Sequence, residues 1–261
     1  MARAARKRGR SLPWLTGYGL PIISFVVGII LWEAYVRVFK VPQFLFPPPS
    51  AIAQIYFTGR IDWIGQTLVT LNEALFGLVI GVAVGFVIAL VITLSPILNK
   101  ILMPYIVALQ VLPKVAIAPI LYIILGFSDT SRILLIVILT FFPIVINTTT
   151  GLTDVDRNLV HLLKSLGASD RAVFWKVRLP NSLPYFFDGL KIGVSGALVG
   201  AIVAEFVSSS KGLGFLILNS QYTFNTTAAF GAFVILTVLG LLLYSSVILL
   251  GRRVMPWYRP N

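Results

Sequence analysis

Several residue types that carry chemistry in proteins are missing or rare in this sequence. It contains no cysteine and a single histidine, His161. Disulfide bonds, thiolate metal sites and iron–sulfur clusters are therefore excluded, and we expect no histidine-based metal site within one chain. The nine acidic residues are spread singly along the chain, so no cluster of catalytic side chains is visible. We therefore do not expect an enzyme.

Charged and polar stretches are also scarce. Only 11% of the 261 residues are charged, 57% are hydrophobic, and the mean hydropathy is +0.93. No polar stretch is long enough to bury a core of its own, whereas apolar windows of nearly bilayer-spanning length recur along the chain. The first such run, residues 14–39, is too long for the apolar part of a cleaved signal peptide. The sequence thus predicts a polytopic membrane protein.

Six apolar segments are typical of membrane-spanning helices, so the predicted fold class is all-α and integral to the membrane. We predict the helices at 19–39, 68–94, 101–125, 132–152, 184–207 and 228–250. Pro104, Pro113 and Pro119 divide the third helix, where we expect kinks or a partly unwound section. The second and fifth carry small residues at four-residue spacing, which indicates close helix packing: Gly77, Gly81 and Gly85 in one, and Gly189, Gly193, Ala197 and Ala201 in the other.

Basic residues that flank these segments supply most of the net charge of +12, which indicates membrane topology rather than nucleic-acid binding. With the N-terminus inside, fifteen of the 21 basic residues lie on the inner side, five lie outside, and Lys114 lies in the membrane. This distribution predicts that both termini are cytoplasmic. We divide the chain into a basic N-terminal tail (1–18), one transmembrane domain (19–253) and a C-terminal tail (254–261).

One polar segment, 154–182, interrupts the apolar chain on the predicted cytoplasmic side. Leucines at helical spacing predict a first short helix, and Gly167 follows where a left-handed residue would end it. Ser169 can cap a second short helix, and Asp170 suits the positive end of its dipole. We therefore predict two short helices that meet at a glycine turn.

The prolines that follow set the predicted boundaries of this segment. We expect Leu179-Pro180 to end the second short helix and Pro184 to lie in the first turn of the next span. The segment is then either a docking element for a soluble partner or an amphipathic loop that rests on lipid headgroups.

The segment resembles the cytoplasmic loop motif of ABC importer permeases, which reads Glu-Ala-Ala, three residues, Gly, nine residues, Ile, any residue, Leu-Pro. Here the register is His161-Leu162-Leu163, three residues, Gly167, nine residues, Val177, Arg178 and Leu179-Pro180. The spacing matches throughout, but His161 replaces the glutamate, so we assign it no role.

Other stretches resemble the nitrate/sulfonate/taurine branch of these permeases: Trp32-Glu33, 46–50, Ala204-Glu205 and 211–214. The stretch 112–119 is closer to members of that branch associated with pyrimidine precursors or riboflavin. The resemblance covers most of the chain.

This resemblance implies a type I importer permease, with a five-helix core and an additional N-terminal helix, in the bacterial inner membrane. Two such subunits, expected here as a homodimer, would form one pathway together with two ABC ATPase subunits and an extracytoplasmic substrate-binding protein. The chain has no G-x-x-x-x-G-K-[ST] loop, so ATP and magnesium would bind to the ATPase subunits and no cofactor to this chain. The residues expected to couple to the ATPase are Leu166, Gly167, Ala168, Ser169, Asp170, Arg171, Phe174 and Pro180.

Ionisable side chains at membrane depth are costly, which makes Glu73, Lys114 and Glu205 candidates for the translocation pathway. Lys114 could attract an anionic substrate or form an ion pair with Glu73 or Glu205, and we favour the ion pair. Glu33 and Glu205 lie toward the outer ends of their helices, so we expect them to be interfacial or paired.

Two questions stay open at this point. A secondary transporter or channel that works without ATP is the less favoured alternative, because no clear repeat of spans and few buried charges are visible. The substrate could be nitrate, a sulfonate or taurine-like anion, a pyrimidine-type or riboflavin-type heterocycle, or an aromatic carboxylate.

Overall fold

The structure is a computed structural model that describes residues 19–258. The predicted N-terminal tail (1–18) and residues 259–261 of the predicted C-terminal tail lie outside the described residues. Residues 19–258 form eleven α-helices: α1 (Leu20–Val38), α2 (Pro49–Ile55), α3 (Trp63–Leu94), α4 (Pro96–Val111), α5 (Ala118–Leu125), α6 (Asp129–Thr153), α7 (Arg157–Ser165), α8 (Asp170–Val173), α9 (Leu179–Ser208), α10 (Leu213–Tyr222) and α11 (Thr226–Val254).

Five helical stretches within residues 19–258 are long and apolar enough to span a membrane, namely α1, α3, α6, α9 with the residues that lead into it, and α11. A sixth span is formed if α4 and α5, which are joined by a short 3₁₀ turn and bent by 86°, count as one. This confirms the predicted all-α membrane fold with an irregular third span.

The break in the third span follows from its prolines. Leu112 has extended backbone angles, as expected for a residue that precedes a proline, and Pro113 starts the 3₁₀ turn Lys114–Ile117. The helix also begins earlier than predicted, at Pro96, because Ser95 caps it by accepting the Leu98 N–H at 3.4 Å.

The core is built around α6, which packs against α3 and α9, and these two helices also contact each other. The glycines of α3 face α6 side chains: a Cβ added at Gly85 would lie 2.9 Å from Ile144 Cβ, and one added at Gly81 would overlap Thr140. Gly189 of α9 lies equally close to the backbone of α6 at Pro143. The predicted close packing of the small-residue stripes is confirmed.

The first helix lies at the edge of this core. Val36 is its one buried residue within Leu20–Val38. Its contacts lie near its C-terminal end, where Glu33 accepts hydrogen bonds from the Ser50 N–H at 3.0 Å and the Ser50 hydroxyl at 2.8 Å, and forms an ion pair with Arg37. The ring of Trp32 stacks on Phe46. The prediction that Glu33 is paired is confirmed.

The predicted helix end at Leu179-Pro180 is wrong. The chain continues as one helical stretch from Asp170 to Ser208, because residues Phe174–Arg178 form a π turn in which the Leu179 N–H bonds to the Phe174 carbonyl. Since the wider turn accommodates a residue without an N–H, Pro180 lies in the first turn of α9 instead of ending a helix. Pro184 consequently lies inside α9 rather than at its start.

Candidate functional site

The polar segment 154–182 forms the predicted pair of short helices, α7 and α8. Asp156 begins α7 by accepting the Asn158 N–H at 2.8 Å, and Ser169 begins α8 by accepting the Ala172 N–H at 3.3 Å. Gly167, between them, has φ +84° and open space around it, so its backbone conformation alone explains the glycine. The predicted glycine turn is confirmed.

An ion pair closes this turn. Lys164 Nζ lies 2.9 Å from Asp170 Oδ1, which joins the end of α7 to the first residue of α8. The hydrogen bond and the charge of Lys164 hold the pKa of the Asp170 carboxyl below its usual value. Both side chains are exposed, so the pair orients the turn more than it stabilises it.

An apolar stripe faces away from the helix core on α7. Leu159, Leu162 and Leu166 lie on one side of this helix and are 42%, 56% and 75% exposed. Leu166 is one of the residues predicted to couple to the ATPase. Leu159 and Leu162 are not among them, although their helical spacing from Leu166 is the signal that could have identified them. Exposed leucines in an otherwise polar segment indicate a surface that another protein or lipid covers.

The other predicted coupling residues divide into two groups. Gly167, Ser169, Asp170 and Arg171 are exposed at the turn, while Ala168, Phe174 and Pro180 are partly buried. The buried Val173 anchors α8, and a cavity of about 670 Å³ lies where Arg171 and Phe174 meet the end of α3 and the start of α4. Helix α8 and the π turn, which follow the glycine turn, therefore border the ends of two helices of the membrane domain, α3 and α4.

Glu73, a predicted pathway residue, is paired within the membrane domain. Its carboxylate accepts a hydrogen bond from Arg132 Nε at 2.9 Å, and Arg132 also bonds to Asp129 and to the Ser208 carbonyl at 3.0 Å. This network lines a cavity of about 500 Å³ together with Asn72 and apolar side chains of α3 and α6.

The favoured ion pair of Lys114 with Glu73 or Glu205 is wrong. The bend at Pro113 places Lys114 in the 3₁₀ turn, where its Nζ donates to the Gln110 carbonyl at 2.7 Å and lies 5.2 Å from the centre of the Phe142 ring. Among residues 19–258, no carboxylate lies within ion-pair distance of Lys114.

Glu205 lies at the end of the helix bundle opposite the polar segment, which we call the distal end. It is completely buried, and its Oε2 accepts the Gly214 N–H at 2.6 Å. Thr70 Oγ1 accepts the Leu213 N–H at 2.8 Å, and Gln66 Oε1 accepts the Gly212 N–H at 2.5 Å. Glu205 is thus paired with a backbone amide, and among residues 19–258 no basic side chain lies within ion-pair distance of it.

These three acceptors form what we call the distal cap: Gln66, Thr70 and Glu205, with the amides of residues 212–214. They satisfy N–H groups that the first turn of α10 cannot bond internally. Gly212 has φ +105°, and a side chain there would overlap the Glu205 carboxylate. The Ala204-Glu205 and Lys211–Gly214 stretches thus form one structural unit. No group of three or more possible metal-ligating side chains occurs among residues 19–258.

The fold is shared with a known transporter. Solved inward-facing conformations of the MetNI methionine ABC transporter superpose with a TM-score of 0.56 at 21% identity, covering 72% of this chain and 91% of that one. This likeness supports a type I ABC permease fold.

Sequence comparisons extend over nearly the whole chain. The riboflavin transport system permease RibX of Chloroflexus aurantiacus is 36% identical over 92% of this chain and 90% of its own length. The formylaminopyrimidine transport permease ThiX of Halalkalibacterium halodurans is 29% identical, covering 91% of this chain and 95% of its own. The taurine transport system permease TauC of Escherichia coli is 27% identical, covering 92% and 90%.

A family profile gives the assignment. The profile described as "Binding-protein-dependent transport system inner membrane component" matches residues 77–260, which include the polar segment and the distal cap residue Glu205. Members of this family are membrane-embedded transport components, and their ATPase is a separate subunit. The chain therefore belongs to the family of binding-protein-dependent inner membrane components, the permease subunits of bacterial ABC importers.

Proposed function

We propose that this permease couples to a separate ABC ATPase through the polar segment 154–182. The observation that carries this proposal is the exposed stripe of Leu159, Leu162 and Leu166 beside the glycine turn, which is followed by a short helix, α8, that borders the end of α3 and the start of α4. A surface that binds a closing ATPase dimer differently in two states biases the helices between inward-open and outward-open arrangements. Reversing a 1:99 population takes about 5.5 kcal/mol of such differential binding.

The assembly that we propose contains two copies of this chain, two ATPase subunits that bind ATP and magnesium, and a substrate-binding protein. No cofactor is assigned to this chain. Helix α4 supports the second copy, because it buries none of its own residues within the described chain although it lies next to α3 and α6. The mass of the complex purified in detergent tests this composition.

A charge on the leucine stripe tests the coupling surface. We expect Leu162→Asp to abolish co-purification of the cognate ATPase, because a carboxylate would be buried against the partner without a counter-charge. The matched control is His161→Asp, which adds the same charge to an exposed position of α7 outside the leucine stripe. Equal retention of the ATPase by both variants would contradict the proposed surface.

The orientation that we propose places the polar segment and both termini in the cytoplasm. The cysteine-free sequence makes this measurable, since a single introduced cysteine is then the one thiol in the chain. In spheroplasts, a membrane-impermeant maleimide is expected to label Phe57→Cys at the distal end and not Leu166→Cys. Both parent residues are highly exposed, at 88% and 75%. The opposite labelling pattern would reverse the topology.

For the substrate, we propose a nitrogen heterocycle of the pyrimidine or riboflavin type before a sulfonate. The basis is the identity to RibX, which is 36% compared with 27% for TauC over an equal share of this chain. A thermal-shift screen of the cognate binding protein tests this proposal. Stabilisation by taurine or alkyl sulfonates, without a response to heterocycles, would overturn it.

A further inference from the structure

The ends of α6 and α9 that flank the polar segment are tied together by side-chain hydrogen bonds. Asn181 Nδ2 donates to two carbonyls at the end of α6, Gly151 O and Asp154 O, both at 2.9 Å. The Tyr185 hydroxyl donates to Asp154 Oδ2 at 2.9 Å. We call this set, Gly151, Asp154, Asn181 and Tyr185, the proximal joint.

The backbones of the two helices also touch at this joint. Gly151 is buried, and a Cβ added to it would lie 2.8 Å from Ser182 Cα and 2.7 Å from the Tyr185 ring. The last carbonyls of a helix have no partner within the helix, and Asn181 supplies one for two of them. The joint therefore holds the end of α6 directly against the first turns of α9.

The location of the joint gives it a mechanical role. The polar segment leaves the membrane domain at Asp154, after α6, and rejoins it at Leu179, where the continuous α8–π turn–α9 stretch enters α9. The hydrogen bonds of the joint link these two points, so residues 155–178 form a closed loop. With the joint closed, a displacement of the glycine turn moves α6 and α9 together. With it open, the same displacement is absorbed by rotation of the loop about its two ends.

Two of the three hydrogen bonds of the joint lie on its solvent-exposed side, outside the buried contact between Gly151 and Ser182. Asn181 and Tyr185 line a cavity of about 720 Å³ with Lys176, Trp257 and Tyr258, and the Asn181–Asp154 and Tyr185–Asp154 bonds are exposed. Loss of these bonds therefore leaves the α6–α9 packing in the membrane intact. A substitution here can change the joint without preventing folding.

We propose that Asn181 and Tyr185 are positioning residues that make the coupling loop and helices α6 and α9 move as one body. This inference rests on the proposed coupling to an ATPase and adds the residues that transmit the motion. It assigns them no contact with the ATPase and none with the transported solute.

The first test deletes single hydrogen bonds and measures solute imported per ATP hydrolysed in proteoliposomes. Tyr185→Phe and Asp154→Ala are each expected to lower this ratio by roughly threefold to tenfold, the range for one lost hydrogen bond. The double variant is expected to show no further loss, because both changes remove the same bond. Asp154→Asn is the matched control, since its amide oxygen still accepts from Tyr185, and it is expected to keep the parental ratio.

The second test replaces the Asn181 amide, which donates two hydrogen bonds, with a carboxylate, which cannot donate. Asn181→Asp places a carboxylate against two carbonyl oxygens, and we expect the import ratio to fall about tenfold or more while the ATPase still co-purifies. Hydrogen exchange of residues 179–185 in the permease alone is expected to accelerate in this variant.

The outcomes separate the two proposals. Unchanged import ratios in Tyr185→Phe and Asn181→Asp, or loss of ATPase binding in them, would overturn the joint. Additive losses in the double variant would also overturn it. If the parent chain itself fails to bind an ATPase, the proposed function fails, and the joint is then judged by hydrogen exchange, where unchanged rates in Asn181→Asp would reject it.

Discussion

Helix α9 is fixed at both ends by polar contacts, but the distal cap and the proximal joint are built in opposite ways. The distal cap is buried and uses a carboxylate, a hydroxyl and an amide oxygen to accept N–H groups at the start of α10. The proximal joint is partly open to solvent and uses an amide and a hydroxyl to donate to groups at the end of α6. Buried polar groups that lose a partner are costly, whereas exposed ones re-bond to water.

This difference assigns distinct tasks to the two ends. The distal cap behaves as a permanent attachment, because opening it would leave buried amides and a buried carboxylate without partners. The proximal joint can change its contacts at small cost, which suits the end of the molecule that we propose is moved by an ATPase. Substitutions at the distal end should therefore affect folding, and those at the proximal end should affect coupling.

The largest effect is expected from Gly212→Ala at the distal cap. The added Cβ would overlap the Glu205 carboxylate, and φ +105° is itself unfavourable for alanine. We expect destabilisation of roughly 4 kcal/mol, from backbone strain and a disrupted cap, measured by thermal unfolding in detergent.

Gly126→Ala is the matched control for this substitution. Gly126 also has a positive φ, +76°, but nothing lies within 4 Å of an added Cβ. With ψ 174°, Gly126 has backbone angles that are almost restricted to glycine, as does Gly212 with ψ 164°. The cost of Gly126→Ala should be limited to this backbone strain, about 1–3 kcal/mol. Equal unfolding temperatures for the two variants would show that the overlap with Glu205 is unimportant.

A smaller effect is expected when the acceptor of the cap is removed without steric overlap. Glu205→Leu leaves the buried Gly214 N–H without a partner, at a cost of about 1–3 kcal/mol. Glu205→Gln retains an oxygen that can accept this N–H and should lose less. The unfolding temperatures of the two variants measure this difference. If Glu205→Leu is as stable as Glu205→Gln, the hydrogen bond from Gly214 to Glu205 does not stabilise the fold.

At the other end, Gly167→Ala is expected to change coupling more than stability. The position has φ +84° but no neighbour that a methyl group would touch, so the strain of about 1–2 kcal/mol stays within the turn. Uptake should fall severalfold, while the unfolding temperature should fall no further than in Gly126→Ala, where the cost is also backbone strain alone. A large drop in that temperature with normal uptake would contradict the division between the two ends.

The smallest effect is expected from Lys164→Met, which removes the ion pair with Asp170. Lys164 lowers the pKa of Asp170, so the ion pair contributes stability at pH values above the pKa of the aspartate in the unfolded chain. This stability is lost as the pH falls through the pKa of Asp170 in the folded chain. Both side chains are exposed, so we expect uptake within about twofold of the parent at neutral pH. A tenfold loss would indicate that Lys164 contacts the ATPase directly.

Local patterns in the sequence were sufficient for the spans and the glycine turn. Hydropathy located six segments, and the identities of Gly167, Ser169 and Asp170 predicted the turn because each acts within a few residues of itself. The same locality explains the wrong boundary at Pro180, since the π turn before it has no signal in single-residue preferences.

Contacts between distant segments could not be predicted in the same way. Gln66 and Thr70 reach amides 146 and 143 residues further along the chain, and the Glu73–Arg132 pair spans 59 residues. The predicted Lys114 ion pair failed because the sequence located the proline break but not its 86° angle, which sets where the lysine points.

The edge position of α1 has a practical consequence for all of these measurements. Residues 20–31 of this helix are exposed along their whole length, and its anchoring contacts come from Trp32, Glu33, Val36 and Arg37 near the far end. An affinity tag or fluorescent protein fused ahead of this helix is therefore expected to leave the packing of α3, α6 and α9 unchanged. The N-terminus is accordingly the position at which we expect a label to disturb the packed helices least.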